Sequence, residues 1–244
     1  MDRPRIGITT SLNTVPATTP GAAAVREQRL DLRYVQAVER AGGLPLVVPV
    51  LADPAGIDAV AALLDGLVVT GGPAVTLGLV GTLPDDIDDT DPDRLATDRR
   101  LLQTFLDDGR PVLGICYGMQ LANALRGGTI YADVEHQQDG AAVHSAGRGG
   151  TVHEAHLTPG SRLHAIVGAE SVAVNTRHVQ ALATVGTDLA VSATAPDGVI
   201  EAIESADGAF VGVQFHPEAI EPPLDALFTD LVARAMESRP VRAA

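Results

Sequence analysis

The chain has 244 residues, 45% of them hydrophobic and 20% charged, which leaves room for one compact α/β domain or at most two small ones and excludes whole-chain disorder. Its 17 basic residues, all arginines, stand against 31 acidic ones for a formal charge of −14. Nucleic acid and anionic membranes are therefore poor partners, and mechanisms that need a lysine, whether a Schiff base or a P-loop, are removed. One cysteine, Cys116, cannot form an intrachain disulfide and points to a reducing, cytoplasmic compartment. The opening MDRPRIGITT lacks the apolar stretch of a secretory signal, and no run reaches the roughly 18 apolar residues of a membrane span.

Tryptophan is absent and aromatics are 3% of the chain, so the core must be built from Ala, Val, Leu and Ile. Short apolar runs alternate with helix-like segments, the pattern of a parallel sheet with crossover helices. Ile6–Thr10 reads as a first strand and Arg26–Ala41 as a helix closed by Gly42-Gly43. Leu46–Val50 is a strand, Ile57–Leu64 a helix, Gly66–Val69 a buried strand, and Thr70-Gly71-Gly72-Pro73 a tight turn. From Gly78 to Pro92 aspartates crowd around prolines; this reads first as a solvated loop, with an acidic border to an amine-binding pocket as the alternative. A helix over Arg94–Leu106, a strand over Pro111–Ile115 and a helix from about Met119 to Leu125 follow. The second half looks more antiparallel, with strands at Thr151–Leu157, Ser171–Asn175, Leu189–Ala195, Gly198–Glu204 and Phe210–Gln214. A last amphipathic helix spans Pro222–Met236, and the final residues are expected to fray. No repeat or linker divides the chain, so residues 1–244 are expected to form a single domain.

The strongest local signal is the strand-turn-helix Pro111-Val-Leu-Gly114-Ile-Cys116-Tyr-Gly118-Met-Gln120. Glycines on both sides relieve the crowding of a sharp turn, as in a nucleophile elbow. The sulfur then sits at a helix N-terminus, where free N–H groups favour thiolate. The bland alternative is a cysteine that fills space. A thiolate nucleophile needs a base, and a base an orienting group. Gly212-Val-Gln-Phe-His216-Pro217-Glu218 supplies both, with His216 at a strand's carboxyl end and Glu218 two residues on.

With these residues the sequence resembles the class I glutamine amidotransferase superfamily and its Cys-His-Glu triad, over Ile6 to about Glu218. It is most similar to stand-alone γ-glutamyl hydrolases of the γ-glutamyl-γ-aminobutyrate hydrolase type, through IGITT, Tyr34 with AGGLPLVVP, DGLVVTGG, PVLGIC, NALRGGTIYAD, VNTRHVQAL, APDGVIEAIE and VGVQFHPE. The resemblance implies a flavodoxin-like α/β fold: a mostly parallel central sheet flanked by helices, with additional antiparallel strands. It also implies Cys116 as nucleophile, His216 as base and acid, Glu218 as orienter, and an oxyanion hole from the N–H groups of Tyr117 and Gly72. Gln120, His178 and Gln180 are the implied substrate-binding residues; Arg177 reads first as a surface arginine, and alternatively as a ligand for a substrate carboxylate.

The reaction so implied is hydrolysis of γ-glutamyl amines, such as γ-glutamyl-γ-aminobutyrate or γ-glutamyl-polyamines, through a γ-glutamyl thioester in amine catabolism, with no cofactor. Tyr117 stands where the hydrolases usually carry Arg, and Tyr117-Gly-Met-Gln120 resembles the glutaminase domain of GMP synthetase. A glutaminase subunit that delivers ammonia to a separate synthase partner is therefore the alternative, and a binding protein that kept the fold is a third reading. A homodimer is compatible with either enzyme. Of the other histidines, His153 and His156 would point to opposite faces of a strand, and no second ligand pair supports them, so no metal site is expected.

Overall fold

The computed structural model describes residues 3–16, 18–19, 21, 23–220 and 223–238. Buried apolar runs dictate the middle of the molecule. Strands β1 (Arg5–Thr9), β4 (Leu44–Val48), β5 (Gly66–Val69), β7 (Val112–Ile115) and β14 (Phe210–Val213) pair in the order β4-β1-β5-β7-β14, each contact parallel. Counting only these strands, the order is 2-1-3-4-5, the doubly wound flavodoxin-like arrangement. Along each strand alternate residues serve opposite faces. Val68, Leu113 and Ile115 pack with α1 (Leu32–Arg40) and α7 (Ala226–Glu237), whereas Leu67, Val69 and Val112 pack with α2 (Pro54–Leu63), α3 (Pro92–Asp107) and α4 (Tyr117–Leu125). Both faces are covered, which is why these strands read as unbroken apolar runs.

On the β14 edge the same sheet continues antiparallel through β13 (Ile200–Ser205), β12 (Leu189–Thr194), β9 (His153–Leu157) and β10 (Ser171–Val174), giving nine strands in all. Short strands β6 (Leu79–Val80), β8 (Thr129–Tyr131) and β11 (Ala181–Thr184) form a separate three-stranded sheet, and β2 (Ser11–Val15) pairs with β3 (Val25–Arg29) as a hairpin. Among the described residues there are also two short α-helices, α5 (Val134–Gln137) and α6 (Arg162–Val167), and 3₁₀ turns at Ala146–Arg148 and Pro217–Ala219.

Helix starts follow capping chemistry. Asp53 accepts the N–H groups of Ala55 and Gly56 ahead of Pro54, and Asp31 accepts that of Arg33. The helix expected over Arg26–Ala41 accordingly begins only at Leu32. Its first residues are held as strand β3 by tertiary contacts: Arg26 pairs with Asp91 and Asp93, and Gln28 accepts hydrogen bonds from Thr10 Oγ1 (3.0 Å) and the Val50 N–H (2.9 Å). The last helix starts at Ala226; Pro222 and the terminal residues expected to fray lie outside the described residues. In the acidic stretch Asp91 caps α3, while Asp86 pairs with Arg148. No helix among the described residues is long and apolar enough to cross a membrane.

Candidate active site

The site lies at the carboxyl edge of the parallel strands, where open α/β sheets bind ligands. Strand β7 delivers Cys116 directly into the start of α4, with φ 51° and ψ −101°, a left-handed conformation that a non-glycine residue rarely holds. The turn is tight enough that neighbouring glycines are required. A Cβ on Gly118 would stand 2.4 Å from the Val69 carbonyl oxygen, and one on Gly114 2.9 Å from the Gly118 carbonyl carbon. Gly118→Ala should therefore force α4 away from β5 and lower stability by about 1–3 kcal/mol, read as a lower urea midpoint at unchanged slope.

Beyond β14 the chain places His216 beside this elbow. Its Nδ1 is 2.7 Å from Glu218 Oε1, and Glu218 has a side chain only 2% exposed. With Nδ1 so held, Nε2 is the nitrogen left for the Cys116 sulfur. Burial opposes charge on the ring, but hydrogen bonding to Cys116 and Glu218 outweighs it and raises His216 to about 10. The protonated ring is the form these neighbours favour at neutral pH.

The backbone of His216 is clamped from both sides. Asn175 Oδ1 accepts its N–H (2.9 Å) and Asn175 Nδ2 donates to its carbonyl (3.0 Å). Tyr34 Oη accepts the Gly71 N–H at 3.2 Å and lies 3.4 Å from His216 Nδ1; burial and the nearby Glu218 raise its pKa, so it stays a neutral phenol. Gln214, fully buried, donates through Nε2 to Cys116 Sγ (3.4 Å) and accepts from Gln120 Nε2 (3.1 Å). Tyr34, Asn175 and Gln214 were missed as site residues by sequence reasoning, although all three stand inside the fragments that carry the family resemblance.

The Gly71-Gly72 turn is set by Arg94, which is wholly buried. Its guanidinium pairs with Asp98 at 3.1 Å, donates to the Gly71 carbonyl (3.0 Å) and to Ser11 Oγ (2.7 Å), and lies over the Tyr117 ring at 4.3 Å. A Cβ on Gly72 would meet Arg94 Nη1 at 2.2 Å, so the turn and the arginine fit only without a side chain there. Burial lifts Asp98 to about 6 against the pull of Arg94. The Gly71 N–H is engaged by Tyr34, whereas the N–H groups of Gly72 and, in the first turn of α4, Tyr117 meet no acceptor among the described residues.

Gly72 and Cys116 open onto a pocket of about 410 Å³ lined also by Gln120, Ser145, Arg148 and Arg177, among others. The acidic stretch does border it, through Asp86 and Ile87, but Asp86 is paired with Arg148. Gln120 Nε2 donates to Gln214 and to the Gln180 carbonyl (3.2 Å), leaving its Oε1 for a ligand. Gln180 instead clasps the Val75 backbone with both amide groups, at 2.8 and 3.0 Å, and His178 holds the Gln180 carbonyl through Nδ1 (2.9 Å). Both of these residues form pocket wall. Exposed Arg177 has no ion-pair partner among the described residues. A cavity of about 700 Å³ between α2 and α3 contains no residue of this cluster.

Fold and cysteine elbow together define a class I glutamine amidotransferase-like protein. Residues 4–218 match the Peptidase C26 model. The chain is 31% identical over 202 residues to the γ-glutamyl-γ-aminobutyrate hydrolase of Escherichia coli K12, covering 78% of this chain and 79% of that one. It is 37% identical over 222 residues to a Mycobacterium tuberculosis protein provisionally named a glutamine amidotransferase, covering 88% and 70%. The crystal structure of a Thermoplasma acidophilum protein, provisionally named a GMP synthase subunit, aligns with a TM-score of 0.63 at 16% identity over 97% of this chain and 98% of that one, a likeness of fold alone. The chain belongs to the Peptidase C26 family.

Proposed function

We propose that the protein hydrolyses γ-glutamyl amides through a γ-glutamyl thioester on Cys116. The observation that carries this is the strained Cys116 at a helix N-terminus, facing the His216–Glu218 pair and sharing one pocket with the unengaged N–H of Gly72. The 31% identity to a γ-glutamyl-γ-aminobutyrate hydrolase supports it. The Cys116 thiolate attacks the γ-carbonyl, and the oxygen gains its negative charge at the N–H groups of Gly72 and Tyr117. Nε2 of His216 gives its proton to the departing amine as the C–N bond breaks, leaving the thioester. Water then enters, His216 takes a proton from it, the C–S bond breaks, and glutamate leaves with the thiolate restored.

Gln120 Oε1 and Arg177 are the groups placed to take the ammonium and carboxylate of the glutamyl moiety. Gln180 and His178 act as positioning residues, through Val75 and the Gln180 carbonyl. Glutamate release by the purified chain from glutamine and a panel of γ-glutamyl amines tests the reading. Release from a γ-glutamyl amine without a partner supports it. Turnover of glutamine only when a synthase is added would replace it with the ammonia-delivering subunit.

Because the first step needs a charged His216, acylation should persist into alkaline solution and fall as pH passes about 10. Single-turnover rates across pH would check this; an alkaline limb centred near neutrality would contradict the charged pair.

A further inference from the structure

A second cluster of titratable side chains lies against the pocket wall and, His178 apart, takes no part in the chemistry above. Glu201 on β13 is fully buried. Three histidines from distant segments converge on its Oε1: His153 Nε2 of β9 at 3.0 Å, His144 Nδ1 from the segment after α5 at 3.4 Å, and His178 Nε2 from the turn before β11 at 3.5 Å. The donor atoms of His144, His153 and Glu201 all lie within 4.8 Å of one another.

Ring tautomers follow from the outer partners. His144 Nε2 is 2.9 Å from Asp197 Oδ2, and His178 Nδ1 is 2.9 Å from the Gln180 carbonyl oxygen. Both partners only accept, so these two nitrogens carry the hydrogens, and in a neutral imidazole the other nitrogen is then a bare lone pair. His144 Nδ1 and His178 Nε2 thus aim lone pairs at an oxygen that also has only lone pairs, and neither has a hydrogen-bond partner. A cation must lie between them, either an added proton on each ring or one metal ion.

Convergence on a single oxygen favours the ion. Extra protons would be served by both carboxylate oxygens, yet Glu201 Oε2 is buried without a partner. Around a four-coordinate ion with bonds of about 2.0–2.1 Å neighbouring donors stand about 3.3 Å apart; His153 Nε2 and His144 Nδ1 lie 3.0 and 3.4 Å from Glu201 Oε1, and the three donor atoms are within 4.8 Å of one another. A carboxylate on the far nitrogen of His144 is also what orients a histidine ligand at metal centres.

We propose that His144 Nδ1, His153 Nε2 and Glu201 Oε1 bind one divalent transition ion of the zinc class, with His178 Nε2, 3.5 Å from Glu201 Oε1, beside them. Nitrogen-rich donors exclude the oxygen-seeking calcium and magnesium ions. Three protein ligands leave a fourth position open. The ion cross-links β9 and β13 to the segment whose Ser145 and Arg148 line the Cys116 pocket.

The test uses the full chain, purified without a metal column, stripped by chelator and titrated with Co²⁺. About one equivalent should bind with the visible absorption of tetrahedral cobalt, Zn²⁺ should displace it, and Tm should rise with metal concentration. His153→Ala, at the least buried ligand, should abolish the cobalt spectrum. Asp197→Asn, which would touch no ion, should weaken binding by about 10- to 100-fold. Far-UV circular dichroism checks that both variants fold. No binding at micromolar Co²⁺ or Zn²⁺, or equal binding by wild type and the folded variants, would overturn the proposal; in the first case the rings are held as imidazolium ions.

Discussion

Cys116→Ala is expected to leave a folded protein that binds a γ-glutamyl substrate and does not turn it over. Loss of the nucleophile from a triad costs on the order of 10⁶ in kcat. Alanine keeps the Cβ and so the same left-handed backbone strain, and the site residue is already buried, so stability should change little. The remaining parts, the Gly72 and Tyr117 donors and His216, have no atom to deliver to the γ-carbonyl. Glutamate release checks the rate and calorimetric titration the binding. Turnover within about tenfold of wild type would place the nucleophile elsewhere.

Glu218→Gln should lower kcat by about 10⁴ while KM stays close to wild type, because the neutral amide neither fixes the ring nor balances its charge. Burial is the largest influence on His216 and opposes its protonation. Without the carboxylate at 2.7 Å the raised pKa falls, and the alkaline limb of acylation should move down with it. Tyr34 Oη, 3.4 Å from Nδ1, is a neutral group and does not replace the charge. A loss of less than tenfold, with an unmoved limb, would mean that Tyr34 and the Asn175 clamp alone orient the base.

The cysteine elbow and the His216–Glu218 pair were legible in the sequence because each is local. Gly114, Cys116 and Gly118 fall within one strand-to-helix turn, and His216 and Glu218 are two residues apart at a strand end. The parallel strands were legible because burial on both faces leaves no polar residue to blur them. Side chains that support the site were not, since their roles depend on strand order. Asn175 reaches His216 across 41 positions, and Gln214 reaches Cys116 across 98. Arg94, read only as the start of a helix, acts on Gly71 through a contact no spacing predicts.

The same limit explains the misplaced start of the first helix and why the histidine cluster was not seen. Val25–Arg29 is exposed and its helical pattern was outweighed by Gln28 and Arg26 contacts made across the fold. The histidine cluster was invisible as a motif, because His144, His153, His178 and Glu201 share no fixed spacing and meet only once β9 and β13 lie in one sheet.

The covalent step is central to the proposed chemistry, and mass spectrometry of acid-quenched reactions reads it directly. With a γ-glutamyl amine mixed at high enzyme concentration, a transient γ-glutamyl adduct should appear on the peptide bearing Cys116, formed as the amine is released and gone as glutamate appears. Glutamate production with no such adduct at any quench time, and undiminished in Cys116→Ala, would contradict it.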